Sequence, residues 1–446
     1  MTVTALLVSH DGDRWLPAVL AGLRDQQRRP DRFLAVDTGS SDGSLDLLRA
    51  DLGAEVVHEH SGSFAEAIAH ALPLIETEWV WILHDDANPH ANALEALLES
   101  ADDSGADILG PKLREWPDLK RLLELGVTIS GAGRRETGLE HGEYDQGQHE
   151  QVRRVLAVNT AGMLVRRSVL EKLGGFDLDL PLFGNDIDFG WRAARAGHTT
   201  MIVPAAIVFH AEAAQRGIRH TTRMSRHEHQ TERRAALHTL LANTVGWRYG
   251  AQWFRLLFGS FLRIVGFLLA RKPRLARDEV RAVSAVYAHP GRIRSARKAR
   301  AALGDEHNDD VRALLAPWWL PYRHGLDFVS DVGTAIANQG RDAAERRRAR
   351  RAESGPVPDE AEELEADSSW LARLVTSPAA VITTLLVIAV LWGAREAFGP
   401  ISGGALSPAP GGVSDWWTLV REGWHPLAQG TDAPAPAYLV PMALLG

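Results

Sequence analysis

From residue 1 to about 204, short apolar runs alternate with stretches in which apolar residues recur at helical spacing. The runs predict strands over 4–9, 33–37, 55–58, 79–83, 107–111, 157–165 and 200–203. The periodic stretches predict helices between them, among them 15–27, 41–51, 64–74 and 91–100. Strands alternating with helices indicate an α/β domain with a mostly parallel sheet and flanking helices. In such sheets ligands sit beyond the carboxyl ends of the strands. Acids close several of these runs, so they stand where a ligand is held.

The pattern changes after residue 211. Residues 212–238 are polar and rich in His and Arg. The stretch "GWRYGAQWFRLLFGSFLRIVGFLLARKPR", 246–274, places Arg255 and Arg263 eight apart, near one helix face, with Phe, Leu, Trp, Ile and Val on the other. This predicts an amphipathic helix lying in a membrane interface. A core-facing helix of a soluble domain has the same pattern. Residues 212–340 together read as a helical, membrane-associated region. A basic run, "RDAAERRRARR" (341–351), and the acidic "ESGPVPDEAEELEAD" form a disordered charged linker over 341–376. The uncharged "SPAAVITTLLVIAVLWGA", 377–394, is at the short end of the length needed for a transmembrane helix, a buried core helix being the alternative. The arginine run before it places the N-terminal part in the cytoplasm. Residues 395–446 then form an extracytoplasmic loop leading into a new apolar stretch, "APAYLVPMALLG", as expected of a piece of a longer multi-spanning protein.

At 446 residues the chain is long enough for two or three domains. Its net charge of -8 argues against general nucleic-acid binding, because phosphate-tracking proteins are usually basic. The absence of cysteine excludes disulfides and thiolate metal sites. The opening "MTVTALLVSHDG" has no basic leader, and its apolar run is too short for a signal peptide.

Four stretches carry chemistry. "VSHDGDRWLPAVLAGL" is a strand and a loop that opens a helix. "FLAVDTGSSDGSLDLL" ends a strand in Asp37, followed by a Gly/Ser turn; such an acid can accept hydrogen bonds from a nucleobase or ribose, or simply belong to an N-capped turn. "WVWILHDDAN" ends a strand in His84, Asp85 and Asp86. Paired carboxylates suit a hard divalent cation shared with phosphate oxygens, since burying both acids without one is costly; a solvated loop is the alternative. "GGFDLDLPLFGNDIDFGWRAARAGHTTMIVPAAIVFH" places Asp186 and Asp188 two apart at a helix entry, with Arg192 beyond and His210 after a strand. One acid can be a general base while the other caps the helix. His210 can ligate a metal, although a lone His is more often structural.

The motifs "AVDTGSSDGS", "LHDDA", "NTAGMLVRRSVLEKLGGFD", "NDID" and "VFH" occur in that order over about 2–211. Together they resemble the inverting nucleotide-sugar glycosyltransferases of family 2, which have the glycosyltransferase-A fold. Two positions depart from the family pattern: His84 stands where a first D-x-D acid often lies, and Asn185 replaces an acid before the catalytic one. The resemblance implies a 1–211 catalytic domain in which Ser9, Asp37, Gly39 and Asp85 bind the nucleotide-sugar. It implies that Asp86 holds Mg²⁺ or Mn²⁺ with His210 and His84, and that Asp186 is the base, with Asp188 and Arg192 as secondary groups. The reaction implied is hexosyl or deoxyhexosyl transfer to a glycan or polyprenyl-linked acceptor at the cytoplasmic face of the cell membrane, in cell-envelope polysaccharide assembly. A degenerate, non-catalytic membrane scaffold is the rival reading. A nucleotidyltransferase lacks support because "VSHDGDRWLP" has a single glycine. "HEHQTE" lacks metallohydrolase spacing, and "GAGRRETG" reads as a plain loop.

Overall fold

The computed structural model of the chain describes residues 1–50, 55–58, 63–116, 120–140, 142–212, 228–304, 307–317, 390–391, 413–423 and 439–445. It divides into two units, Met1–Arg323 and His324–Gly446.

The first unit is built on a ten-stranded mixed sheet. Its strands are β1 (Val3–Ser9), β2 (Arg32–Asp37), β3 (Glu55–His58), β4 (Trp79–His84), β5 (Ala87–Pro89), β6 (Ile108–Glu115), β7 (Leu122–Glu124), β10 (Arg153–Arg154), β11 (Leu164–Arg166) and β12 (Thr200–His210). A separate hairpin joins β8 (Thr128–Ile129) to β9 (Arg135–Glu136). Along the main path the order is β10-β12-β6-β11-β4-β1-β2-β3. The first four strands pair in parallel, as do β6 and β12, while β11 runs antiparallel between β4 and β6.

The apolar runs give buried strands because both faces of the sheet are covered. Val3, Ala5 and Leu7 of β1, with Trp79, Trp81 and Leu83 of β4, pack on helices α1 (Leu16–Arg24) and α4 (Ala93–Ser104). Leu6 and Val8, with Val80 and Ile82, face the other way. They meet α3 (Phe64–Ala71), α5 (Arg167–Leu173) and α6 (Asn185–Arg195). Helix α2 (Ser44–Ala50) follows β2. A third apolar cluster joins the outer side of α6 to α7 (Glu228–Asn243), α8 (Arg248–Leu269), α9 (Pro273–Tyr287), α10 (Pro290–Ala301) and α11 (Asn308–Leu314).

One strand is shorter than the sequence predicts. Residues 157–165 are apolar enough to read as a strand, yet the ladder begins only at Leu164. Gly162, at φ 108, breaks the extended run, and its N–H bonds Ile82 O at 2.9 Å. Strands β5 and β7–β10 have two or three residues each and carry no periodic signal.

In the second unit, helices α12 (Val413–Arg421) and α13 (Leu439–Leu445) pack on each other. The expected linker over 341–376 lies outside the described residues, as does the membrane helix over 377–394 apart from 390–391.

Candidate functional site

Strands β1, β2 and β4 end together because they are parallel and in register, with Ser9 opposite Asp37 and Val8 opposite His84. Asp37 is fully buried, and its Oδ1 accepts from the N–H groups of Gly39 and Ser40 at 3.1 Å each. Gly39 lies at φ 86, a conformation that favours glycine. Asp85 Oδ2 accepts from Ser9 Oγ at 3.2 Å and from the His10 N–H at 2.8 Å. The loops after β1 and β2 are bonded across to each other. The Asp11 N–H donates to Ser40 Oγ at 2.9 Å, the Ser41 N–H to Asp11 Oδ1 at 2.7 Å, and the Gly12 N–H to Ser44 Oγ at 2.8 Å. The sequence-predicted nucleotide residues Ser9, Asp37, Gly39 and Asp85 therefore share one braced rim.

The second part of the site lies at the ends of β4 and β12. Antiparallel β5 sets Ala87 opposite His210, and the Ala211 N–H donates to Asp86 O at 3.0 Å. This carries the Asp85–Asp86 turn to the end of β12. His84, Asp86 and His210 offer ligand atoms that all lie within 4.8 Å of one another. His210 Nε2 is 3.2 Å from Asp86 Oδ1, while its buried Nδ1 has no hydrogen-bond partner among the described residues. The His84 ring meets that of His210 edge-on at 5.5 Å, and its Nε2 lies 2.9 Å from Thr160 Oγ1. Burial works against charging His210, but Asp86 outweighs it and holds the imidazole above its ordinary range. Two imidazoles and one carboxylate, with a buried ring nitrogen unpaired, fit a divalent metal. The nitrogen donors suit Mn²⁺ better than Mg²⁺, which prefers oxygen.

Asp186 lies in the first turn of α6, two residues after Gly184 at φ 72. Its Oδ1 accepts from the Ile187 N–H at 2.8 Å and its Oδ2 from Arg135 Nη2 at 2.6 Å. The same guanidinium grips Glu124 at 2.8 and 2.9 Å, and Glu124 accepts from Asn159 Nδ2 at 2.8 Å. The next residue, Thr160, is the one that touches His84. A chain of polar contacts thus runs from Asp186 through Arg135, Glu124 and Asn159–Thr160 to the His84 cluster. Burial alone would lower the Arg135 pKa; Asp186 and Glu124 reverse this and hold it well above its usual range. Sequence reasoning missed Glu124, Arg135 and Thr160 as site residues. Arg135 belongs to "GAGRRETG", which read as a plain loop and instead forms β9. Asn159 and Thr160 do lie in the "NTAG" stretch that carries the family resemblance.

Asp188 and Arg192 are not brought to this cluster. Asp188 is buried and accepts from Arg192 Nε at 2.8 Å, Arg300 Nη2 at 2.6 Å and Asn243 Nδ2 at 2.7 Å. Burial opposes its charge, but Arg192 and Arg300 keep its carboxyl below the usual range. Arg192 also donates to the carbonyls of Leu173 and Gly175. The pair ties α6 to the helices around it. Asp177, Asp179 and His238 form a second group of potential metal ligands. There Asp177 Oδ2 already receives Arg300 at 2.6 Å and lies 3.0 Å from His238.

A mixed α/β sheet with acids at its parallel strand ends, a late histidine and a helix-borne acid defines a glycosyltransferase-type domain. The chain belongs to the glycosyltransferase-like family 2, whose model matches residues 3–235. It is similar to the N-acetylglucosaminyl-diphospho-decaprenol L-rhamnosyltransferase of Mycobacterium tuberculosis, at 27% identity over 242 residues, 48% of this chain and 78% of that protein. It is also similar to galactofuranosyltransferase GlfT1 of Mycolicibacterium smegmatis, at 25% identity over 208 residues, 44% of this chain and 66% of that one. Among solved structures, S. aureus TarS aligns at 13% identity and a TM-score of 0.42, covering 77% of this chain and 54% of that one. GalNAc-T7 with UDP, GalNAc and Mn²⁺ aligns at 13% and 0.42, covering 54% and 47%. The chain spans about half the length of these two solved chains.

Proposed function

We propose that the chain moves a sugar from a nucleotide-diphosphate donor to a hydroxyl of a lipid-linked glycan, with inversion at the anomeric carbon. The observation that carries this reading is the meeting of His84, Asp86 and His210 at the ends of β4 and β12, joined by polar contacts to Asp186. Asp37 and Gly39, on the rim beside Ser9, receive the nucleoside. Asp85 orders the loop after β1 by its bonds to Ser9 and His10. His84, Asp86 and His210 would hold a divalent cation, which when bound neutralises charge on the departing diphosphate. Asp186 takes the proton of the acceptor hydroxyl as that oxygen attacks from the face opposite the leaving group. Arg135 bonds Asp186 Oδ2 at 2.6 Å and so aims it. A positioned base of this kind contributes about 10²–10⁴-fold.

The relatives' printed names, rhamnosyl and galactofuranosyl transfer and a decaprenyl-diphosphate acceptor, support a deoxyhexose or hexose donor and a polyprenyl-linked acceptor. An acceptor of that kind, in cell-envelope polysaccharide assembly, agrees with a catalytic unit at the cytoplasmic face of the membrane. The test is transfer by the full chain from a panel of nucleotide-sugars, with Mn²⁺, to a polyprenyl-diphosphate-linked GlcNAc, with the product linkage read by NMR. An inverted linkage, lost in Asp86→Ala, is expected. A retained configuration overturns the role of Asp186. Absence of both transfer and nucleotide binding favours the scaffold reading.

A further inference from the structure

Helix α8 buries only a narrow inner strip. Leu256 and Ser260 are buried, while Phe254, Phe258, Phe261 and Leu269 are 69%, 62%, 58% and 73% exposed. With Leu262 and Val265 these residues follow one another at spacings of three and four, so they form a single continuous apolar stripe. No described residue covers it. Trp247, just before the helix, is 82% exposed. A run of large exposed apolar side chains on a soluble surface marks an interaction site.

We propose that this stripe docks in the headgroup zone of an anionic lipid bilayer, with α8 lying in the plane of the membrane. Charge chooses the occupant. Exposed Arg248 stands in the first turn, and exposed Arg271, Lys272 and Arg274 follow the last. Between residues 246 and 304 there are thirteen Lys and Arg against two acidic residues, in a chain whose net charge is -8. A basic helix with an aromatic and aliphatic face is the pattern of an interfacial helix. A second copy docked on the same stripe would bring these cationic ends together.

The inner side of α8 decides the orientation. By length and composition the helix could cross a membrane. However, Ser260 Oγ accepts from Arg233 Nη2 at 3.0 Å, Trp253 O from Tyr287 Oη at 2.9 Å, and Gly131 O from Gln252 Nε2 at 3.0 Å and Arg255 Nη2 at 2.7 Å. These bonds fasten α8 lengthwise to the catalytic unit. Crossing would pull Arg233 and its buried partner Glu279 into hydrocarbon, where charges are expensive.

Gly131 and Ala132 form the tip of the β8–β9 hairpin, and Ala132 O accepts from Arg233 Nη1 at 2.7 Å. Arg135, on that hairpin, holds Asp186. Docking α8 therefore sets Asp186 one hairpin away from the bilayer, where a lipid-carried hydroxyl arrives. That consequence rests on the transferase reading; the docking does not.

The test reads depth, not turnover. Because the chain has no cysteine, Phe258→Cys and Leu262→Cys each give one labelling site, and Glu99→Cys on exposed α4 surface gives a control. The full chain carries an environment-sensitive fluorophore at each site and is mixed with phosphatidylcholine vesicles containing phosphatidylglycerol. Nitroxide lipids place the quencher either near the glycerol or near the chain ends. Docking predicts a blue shift and several-fold stronger quenching at 258 and 262 than at 99. The shallow quencher should act most strongly, and all of this should weaken when phosphatidylglycerol is left out. Strongest quenching by the deep nitroxide would mean a spanning helix and overturn the proposal. Labels at 258 and 262 that no lipid nitroxide reaches would also overturn it, whether water or protein covers the stripe. Quenching indifferent to phosphatidylglycerol would overturn the anionic surface as the partner.

Discussion

At Asp186 two carboxylates share one guanidinium. Arg135, on β9, bonds Glu124 of β7 and Asp186 of α6 at once. Such an arrangement orients the candidate base but makes the site depend on Arg135. Asp186→Asn retains the bond from Ile187 and lacks a proton acceptor of useful basicity. Turnover should fall about 10²–10⁴-fold, with nucleotide affinity unchanged by calorimetry. Arg135→Leu leaves two buried acids facing each other. It should cost about 3–5 kcal/mol of stability, measured by denaturant unfolding. The corresponding change at Asp188 belongs to a different account. Asp188→Ala removes the buried carboxylate that Arg192 and Arg300 share, leaving Arg192 only carbonyl acceptors and Arg300 its pair with Asp177, so it should unfold at lower denaturant and leave the affinity of the folded protein for nucleotide unaltered.

Between elements, the loops after β1 and β2 act as one piece, and Gly12 shows how closely they are fitted. A Cβ at that position would stand 2.3 Å from Asp85 Oδ2, the atom that accepts from Ser9 and His10. Gly12→Ala should therefore displace that carboxylate at a cost of about 1–3 kcal/mol, and nucleotide affinity should fall with it. The helices behind the site carry a pH-dependent joint. Burial opposes the charge on Glu279, yet His229, Arg233 and Ser260 lower its pKa from 4.5 to about 2. A depressed carboxylate stabilises the fold above its unfolded pKa, and that contribution is lost as pH falls from 4.5 toward 2. Stability measured across that window should drop, and Glu279→Gln should be less stable than wild type at neutral pH and flatter with acid.

Across the whole molecule, the parts legible in the sequence were those fixed by local chemistry. Strands β1, β2 and β4 read as apolar runs because both sheet faces are covered, and their closing acids pointed to the ligand edge. His84, Asp86 and His210 were named together only through the family resemblance of the motifs that contain them, and the structure places their ligand atoms within 4.8 Å of one another. What stayed hidden depends on distance along the chain. Arg192 lies one helical turn from Asp188, but the other side-chain partners of Asp186 and Asp188 lie 51, 55 and 112 residues away, so no spacing rule brings Arg135, Asn243 or Arg300 to them. The two-residue strands that carry Arg135 exist only through their pairing. The central claim, a metal-assisted nucleotide-sugar site at the ends of β4 and β12, is tested most directly by thermal unfolding of the full chain with UDP, GDP, dTDP and CDP. Each is measured with and without Mn²⁺, in wild type and in Asp86→Ala. A nucleotide bound only by the folded state at about 100 times its Kd adds roughly 2.7 kcal/mol. The account predicts that stabilisation for one nucleotide, dependent on Mn²⁺ and absent in Asp86→Ala; stabilisation by no nucleotide, or one indifferent to both Mn²⁺ and Asp86, would contradict it.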